Sequence, residues 1–406
     1  MEIRRITPLE NIQYDAICHT VFFDMERKNI RKMLKEPEKH ADDEQIVWAA
    51  FDNLGKMCSA VLVTPVTMQL NGQTVETGVV GGVVTRPESR GLGTVYQIMK
   101  KALPSMTSDD KQILSFLYPF SFSYYRKFGY ETCYSHNVIN IPIGQFRHFD
   151  YPNRLEPFEK GDDISPFIDI YNSFSQTRNF SVVRNKNAWK ELLNRDPYKN
   201  LEFTFLNYDE AGNADAYILY EPEPDGNENH RLIIKELCWK NPSGLQSILG
   251  YFYKLGAEFT TVRWNAPNDI DIHALFPEPG EITWHCEASG MARLVDVCGS
   301  LSLLASQPHS DGSLTIKVID KFLQENSGMY RLGWEKGQIA CNALKLNDSD
   351  LSAPDLETSI ETLAQLVTGY ITPTEAMYRK DTIIKSGLDQ LTALFPKRLL
   401  YIMEQY

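Results

Sequence analysis

The sequence predicts a mixed α/β fold of the α+β kind, arranged as three successive domains. Three observations lead there. At 406 residues the chain is too long for one hydrophobic core and suits two or three. Strand patterns and amphipathic helix patterns follow one another over the first two thirds of the chain. The strand–turn–helix stretch "VVTRPESRGLGTVYQIMKKAL", Val83–Leu103, also returns in weakened form as "ELCWKNPSGLQSILGYFYKLG", Glu236–Gly256. The expected domains are 1–146, 147–288 (the degenerate copy) and 289–406, where the patterning changes again.

Composition narrows the class. A 43% hydrophobic and 23% charged chain is that of a globular protein. No apolar run approaches the ~20 residues of a membrane helix, so no membrane insertion is expected. The start, "MEIRRITPLENIQYD", lacks the apolar segment of a secretory signal. Seven scattered cysteines without a Cys-x-x-Cys argue against a disulfide framework or a zinc site; no metal is expected, and a reducing cytoplasm fits best. The net charge of −12 disfavours nucleic acid and suits a cationic small molecule.

The elements follow in order. "IVWAAF" and "CSAVLV" flank the turn "DNLGK", and Asn71-Gly72 turns a second hairpin that ends in "TGVVGGVV". Val95, Ile98, Met99, Ala102 and Leu103 share one helical face, predicting a helix over 94–103. "QILSFLY" reads as the next strand, and "YYRKFGYE" leads into "TCYSHNVINI". The second domain repeats this grammar with "AYILYEP", "HRLIIKELCWK" and "FTTVRW" as strands around the helix "LQSILGYFYKLG"; the polar run "EPEPDGNENH" reads as a mobile loop. In the third, "MARLVDVCGSLSLL" is a strand and helix, and "GSLTIKVID" and "GMYRLGW" are strands. "LETSIETLAQLVTGY" puts Leu356, Ile360, Leu363 and Val367 on one helical face, and the chain closes in an extended tail.

The chemistry concentrates in Arg90-Gly91-Leu92-Gly93, where strand meets helix. A helix start offers unpaired N–H groups and the positive end of the dipole, glycines admit a close ligand, and arginine adds a fork-shaped donor. The construction suits a phosphate or pyrophosphate. A surface turn with glycine for geometry and arginine for solubility remains the alternative. A dinucleotide fold would need a third glycine where Tyr96 stands, and a P-loop needs Gly-Lys-Ser/Thr; neither pattern is present.

"RPESRGLGTV" resembles motif A of the GNAT N-acetyltransferases, Arg/Gln-x-x-Gly-x-Gly/Ala, carried here by Arg90, Gly93 and Val95. Val95 departs from the superfamily consensus and matches a tolerance of one subfamily. "YYRKFGYE" resembles that subfamily's Tyr-x-x-Phe-Gly-Tyr signature, and "MARLVDV" the opening of its third domain. The whole chain is similar to the enhanced intracellular survival (Eis) type: tandem GNAT folds followed by a sterol-carrier-protein-like domain. The resemblance implies a cytoplasmic hexamer using acetyl-CoA and no metal. It also implies that the backbone of Val83, Val84 and Thr85 receives the pantetheine arm. Arg90, Gly91, Leu92, Gly93, Thr94, Val95 and Tyr96 would cradle the pyrophosphate, and Phe120 and Ser121 would lie beside the thioester on the neighbouring strand. By the same resemblance Tyr125 is the general acid, and the α-carboxylate of Tyr406 is the base. Asp24, Glu26 and Glu404 would hold a multi-amine acceptor such as an aminoglycoside, in a pocket between the first and third domains.

The acid–base roles are physically consistent. An alkyl ammonium titrates near ~10, so an acceptor must take its proton as it attacks. A chain-terminal carboxylate, at ~3.5 in water, becomes a better base when buried and also attracts the cation. A phenol near ~10 stays protonated and can donate. Packing for Tyr125, a frayed end for Tyr406 and solvated surface for Asp24 and Glu26 are the structural alternatives. A non-catalytic acetyl-CoA and lipid sensor, and a protein-lysine acetyltransferase, are the competing functions.

Overall fold

The computed structural model describes residues 1–22, 46–151, 154–194, 197–226, 229–304, 311–336, 338–344 and 353–404, leaving aside the His273 side chain. Asp24, Glu26 and Tyr406 lie outside the described residues.

The first unit supplies β1 (Glu2–Arg5), β2 (Ile46–Phe51), β3 (Met57–Leu70), β4 (Gln73–Thr85), β5 (Leu114–Leu117) and β6 (Glu131–Pro142). β3 and β4 form the hairpin expected at Asn71-Gly72, whose φ values of 54° and 78° are those of a tight left-handed turn. Helix α1 (Asn11–Val21) precedes β2. Helix α2 (Thr94–Ser108) buries the five side chains its spacing aligns, Val95, Ile98, Met99, Ala102 and Leu103, and runs five residues past Leu103. The segment "FSYYR", expected to lead straight into a strand, is a short helix, α3 (Phe122–Arg126). Ser121 starts it by accepting the Tyr124 N–H on its hydroxyl, 3.4 Å away.

The second unit contains β7 (Arg154–Pro157), α4 (Ser165–Ser175), α5 (Lys186–Leu193), β8 (Phe203–Tyr208), β9 (Ala214–Pro224), β10 (His230–Trp239), α6 (Pro242–Lys254), β11 (Phe259–Ala266) and β12 (Thr283–Leu294). Much of the expected mobile loop "EPEP" is strand. Pairing of β8 to β9 ends at Tyr220, so Pro222 and Pro224 face a bare edge where a missing N–H costs no ladder bond.

Both units share one sheet, ordered β1-β2-β3-β4-β5-β12-β6-β11-β10-β9-β8-β7. The order is an exchange of strands. β12, the last strand of the second unit, lies between β5 and β6 of the first, and β6 pairs onward with β11 of the second. β12 also runs unbroken through Ala288 and Ser289, the point where sequence patterning changes.

The third domain is a five-stranded sheet, β15 (Gln338–Leu344), β14 (Gly328–Glu335), β13 (Gly312–Ile319), β16 (Leu356–Ser359) and β17 (Ile383–Ile384) in spatial order. Its helix α7 (Ile360–Thr368) starts later than the apolar spacing predicts. Leu356 belongs to β16, which pairs in parallel with β13, and the Ser359 hydroxyl accepts the Thr362 N–H to open the helix. The domain is tied to the first unit through Arg293 on β12. That guanidinium is fully buried and bonds both the Phe128 carbonyl and the Asp320 carboxylate.

Candidate active site

The first unit opens where β4 and β5 part. Their parallel pairing runs from Thr77–Leu114 to Val79–Phe116, while β4 continues six residues further to Thr85. A bulge starts the divergence: Ala60 faces Val84 and Leu62 faces Gly81, so two residues of β4 oppose Val61. Gly82 sits in it at φ 49°, and a Cβ there would fall 1.7 Å from the Tyr14 hydroxyl oxygen. This accounts for the second glycine of "VVGGVV". Val83–Thr85 therefore line an open wedge.

At the far end of that wedge, Gly91 at φ 80° and Gly93 at φ 68° turn the chain into α2. Gly93 is the N-cap, and no side chain caps this helix start. Arg90 is exposed beside it, and its guanidinium bonds none of the described residues. Thr94 and Val95 are buried, so they offer only main-chain N–H groups to a ligand. The Thr94 hydroxyl instead meets Ser59 at 2.5 Å, and Ser59 donates to the Thr85 hydroxyl at 3.0 Å. This chain locks strand end to helix start. Ser59 was not singled out in the sequence because nothing local marks it; it lies on β3, opposite Thr85.

The corresponding turn of the second unit is closed. The Asn241 side chain accepts the Gly244 N–H at 2.8 Å, and Pro242 has no N–H to give. Its helix start is thus already capped by its own chain.

Phe120 and Ser121 lie past the end of β5 rather than on a strand. Phe120 is 72% exposed and its ring is 5.4 Å from that of Tyr125, edge to face. Tyr125 is on α3 and is 4% exposed, surrounded by Tyr124, Phe128 and Tyr130. Burial pushes its phenol above the ordinary value, with Tyr124 and Tyr130 adding to the shift. Tyr125 packs in one cluster with Val80 and Leu117, against which Val83 also lies.

The tail returns to this region. Leu400 bridges to Asn179, and the Tyr134 hydroxyl donates to the Ile402 carbonyl at 3.3 Å. The Tyr118 hydroxyl, one residue beyond β5, donates to the Glu404 carbonyl at 2.8 Å. The Glu404 carboxylate does not stand free: Arg184 Nε donates to it at 2.7 Å. Arg184 also grips Glu236 with both Nη atoms, at 2.8 and 2.6 Å. Arg184 was missed by sequence reasoning, since a buried arginine leaves no pattern. Two cavities flank Met403 and Glu404, of about 490 and 660 Å³. The larger is lined by Glu191, Glu202, Glu236 and Glu404 against Arg184 and Lys235, a net negative wall between the two tandem units. The acceptor pocket was expected between the first and third domains.

Family models match the chain in three places: an acetyltransferase (GNAT) domain at residues 2–133, another at 181–294, and a sterol carrier protein domain at 297–403. The two GNAT matches together span more than half of the chain. The chain is a GNAT acetyltransferase. Solved structures agree in fold over the full length. A probable N-acyltransferase from Enterococcus faecalis is 19% identical with a TM-score of 0.86, covering 100% of this chain and 99% of the other. A GCN5-related N-acetyltransferase from Anabaena variabilis is 21% identical with a TM-score of 0.83, covering 100% of both chains. Eis1 from Mycobacterium abscessus is 15% identical with a TM-score of 0.78, again covering 100% of both. No curated protein matches the chain. The acetyltransferase thus has the Eis-type architecture of two GNAT units and a sterol carrier protein domain. GNAT domains use acetyl-CoA, and the first unit of this acetyltransferase fits it: an uncapped helix start, a left-handed glycine turn and an uncommitted Arg90 match a pyrophosphate. Among the described residues no group of three or more His, Cys, Asp or Glu is placed to hold a metal, and no helix is long and apolar enough to cross a membrane.

Proposed function

We propose that this acetyltransferase acts on small cationic acceptors carrying several amines, of the aminoglycoside or polyamine kind. The observation that carries the reading is the 660 Å³ cavity beside the tail. There Glu191 and Glu202 join the Glu236 and Glu404 carboxylates that Arg184 already pairs, so that carboxylates outnumber the cations Arg184 and Lys235. A single lysine ammonium needs no such wall, whereas a compound with several charges gains from each carboxylate it meets.

When bound, acetyl-CoA supplies an acyl thioester. The residues of the first unit divide the remaining work. Arg90 and the N–H groups of Thr94–Tyr96 would hold the pyrophosphate, and the backbone of Val83–Thr85 the arm. Tyr125 Oη keeps its proton through neutral pH and gives it to the departing thiolate. The chain-terminal carboxylate of Tyr406 takes the proton of the attacking amine. Supporting this, Glu404 is fastened by its carbonyl to Tyr118 and by its side chain to Arg184. Two further residues span at most about 7 Å.

Release of free CoA thiol over a series of mono-, di- and polyamines, an aminoglycoside and a lysine peptide tests the reading. kcat/KM should rise with the number of amino groups. Preference for the lysine peptide would make the enzyme a protein acetyltransferase, and no release with any amine would leave it a sensor.

A further inference from the structure

The second unit retains the strand opening of the first although its helix start is closed. β10 pairs in parallel with β11 only as far as Ile234–Trp264, and a bulge at Lys235 carries its remaining residues away. This matches the device at Gly82 and Val83 of β4. Such an opening leaves main-chain groups unpaired, which favours a ligand that satisfies them.

In the second unit that ligand is the chain's own C-terminal segment. The Tyr401 hydroxyl donates at 2.9 Å to the carbonyl of Asn265, the first β11 residue beyond the paired stretch. Its ring is 5% exposed, lies 5.8 Å from Phe174, and packs with Tyr217, Cys238 and Trp239. Bonds to its main chain hold the segment in register: the Tyr401 N–H donates to the Asn179 carbonyl at 3.0 Å, and the Ser181 side-chain hydroxyl donates to the Tyr401 carbonyl at 3.0 Å. The remaining space of the opening, about 490 Å³, is bounded by Ile233–Lys235, Arg263 and Asn265 on the two strands and by Tyr401–Glu404.

We propose that the second GNAT unit is the receptor of the C-terminal segment. Tyr401 occupies the splay that the first unit offers to the cofactor's arm, and it thereby fixes where the end of the chain acts. Tyr401 is a positioning residue; this inference rests on reading the terminal carboxylate as the base. A tethered ligand is present at high effective concentration, so the splay stays filled without a free cofactor.

Release of the C-terminal residues by a carboxypeptidase, followed by mass spectrometry well below the melting temperature, tests it independently of activity. Tyr401→Ala in the full chain should raise the release rate at least about tenfold. It should also lower kcat about tenfold while leaving the KM for acetyl-CoA within about twofold, a split that a general loss of structure would not give. Should that variant fail to fold, Tyr401→Phe, which loses only the bond to Asn265, should raise release about fivefold. Release rates equal to the native protein in the folded variants would overturn the proposal. An extended C-terminus that leaves turnover unchanged, together with faster release from Tyr401→Ala, would refute the base and leave the receptor standing.

Discussion

Tyr125 is the residue whose chemistry the structure most narrows. Its phenol is buried among aromatic rings, so it titrates above its ordinary value and is protonated throughout the range in which a GNAT enzyme works. A proton donor with a raised pKa loses its proton only as pH rises through that value. kcat should therefore stay level up to about pH 10 on Tyr125's account, the unperturbed phenol value, and an alkaline fall that begins near pH 8 would need another group. Tyr125→Phe should lower kcat by roughly 10²-fold with CoA affinity nearly unchanged, because a positioned acid acts in the transition state. Steady-state kinetics beside calorimetric CoA binding would separate the two, and native turnover would leave Tyr125 as packing. At this scale the sequence was partly legible. Arg90, Gly91 and Gly93 announce themselves by local pattern. Ser59 and Arg184 do not, since their meaning lies in partners 26 and 220 residues away.

At the scale of elements, the contrast between two helix starts predicts one cofactor site per chain. α2 begins on Gly93 without a side-chain cap, and α6 begins on Asn241, which caps itself and is followed by Pro242. Calorimetry should find a single acetyl-CoA per chain. Arg90→Ala should weaken it by roughly 1.5–3 kcal/mol, the scale of a charge-assisted contact, with the melting temperature unchanged because Arg90 holds no other described residue. Two equal sites would contradict the assignment. Part of the strand-and-helix order of both units could be read from periodicity, where an element carries a clear apolar face, but α1, α4, α5, β7 and β8 were not so read. Starts and stops were less legible: Leu356 fits the helical spacing of α7 yet belongs to β16, where pairing with β13 overrides the local pattern. Neighbours could be read only where a tight turn names them, β2 with β3 and β3 with β4. The placing of β12 between β5 and β6 could not, since an alternating strand does not name a distant partner.

For the whole molecule, the tail's return as far as Glu404 bears on the proposed base. A C-terminal extension should abolish most turnover while the melting temperature holds, because each added residue displaces the carboxylate by about 3.3 Å, more than a base's hydrogen bond can span. Equal turnover with and without the extension would place the base elsewhere. The exchange of β6 and β12 governs a different property, how the chain can be divided. A fragment ending at residue 146 would lack β12 and leave the edge of β5 bare, and a fragment starting at 147 would lack β6 beside β11. Both should be insoluble alone, while the intact pair should melt in a single transition by calorimetry. A unit whose helix start is capped by its own chain, as at Asn241, would ordinarily be free to disappear if it carried no site of its own. Here it cannot, because its closing strand completes the sheet of its active sibling: having traded strands, the two copies can only be inherited together.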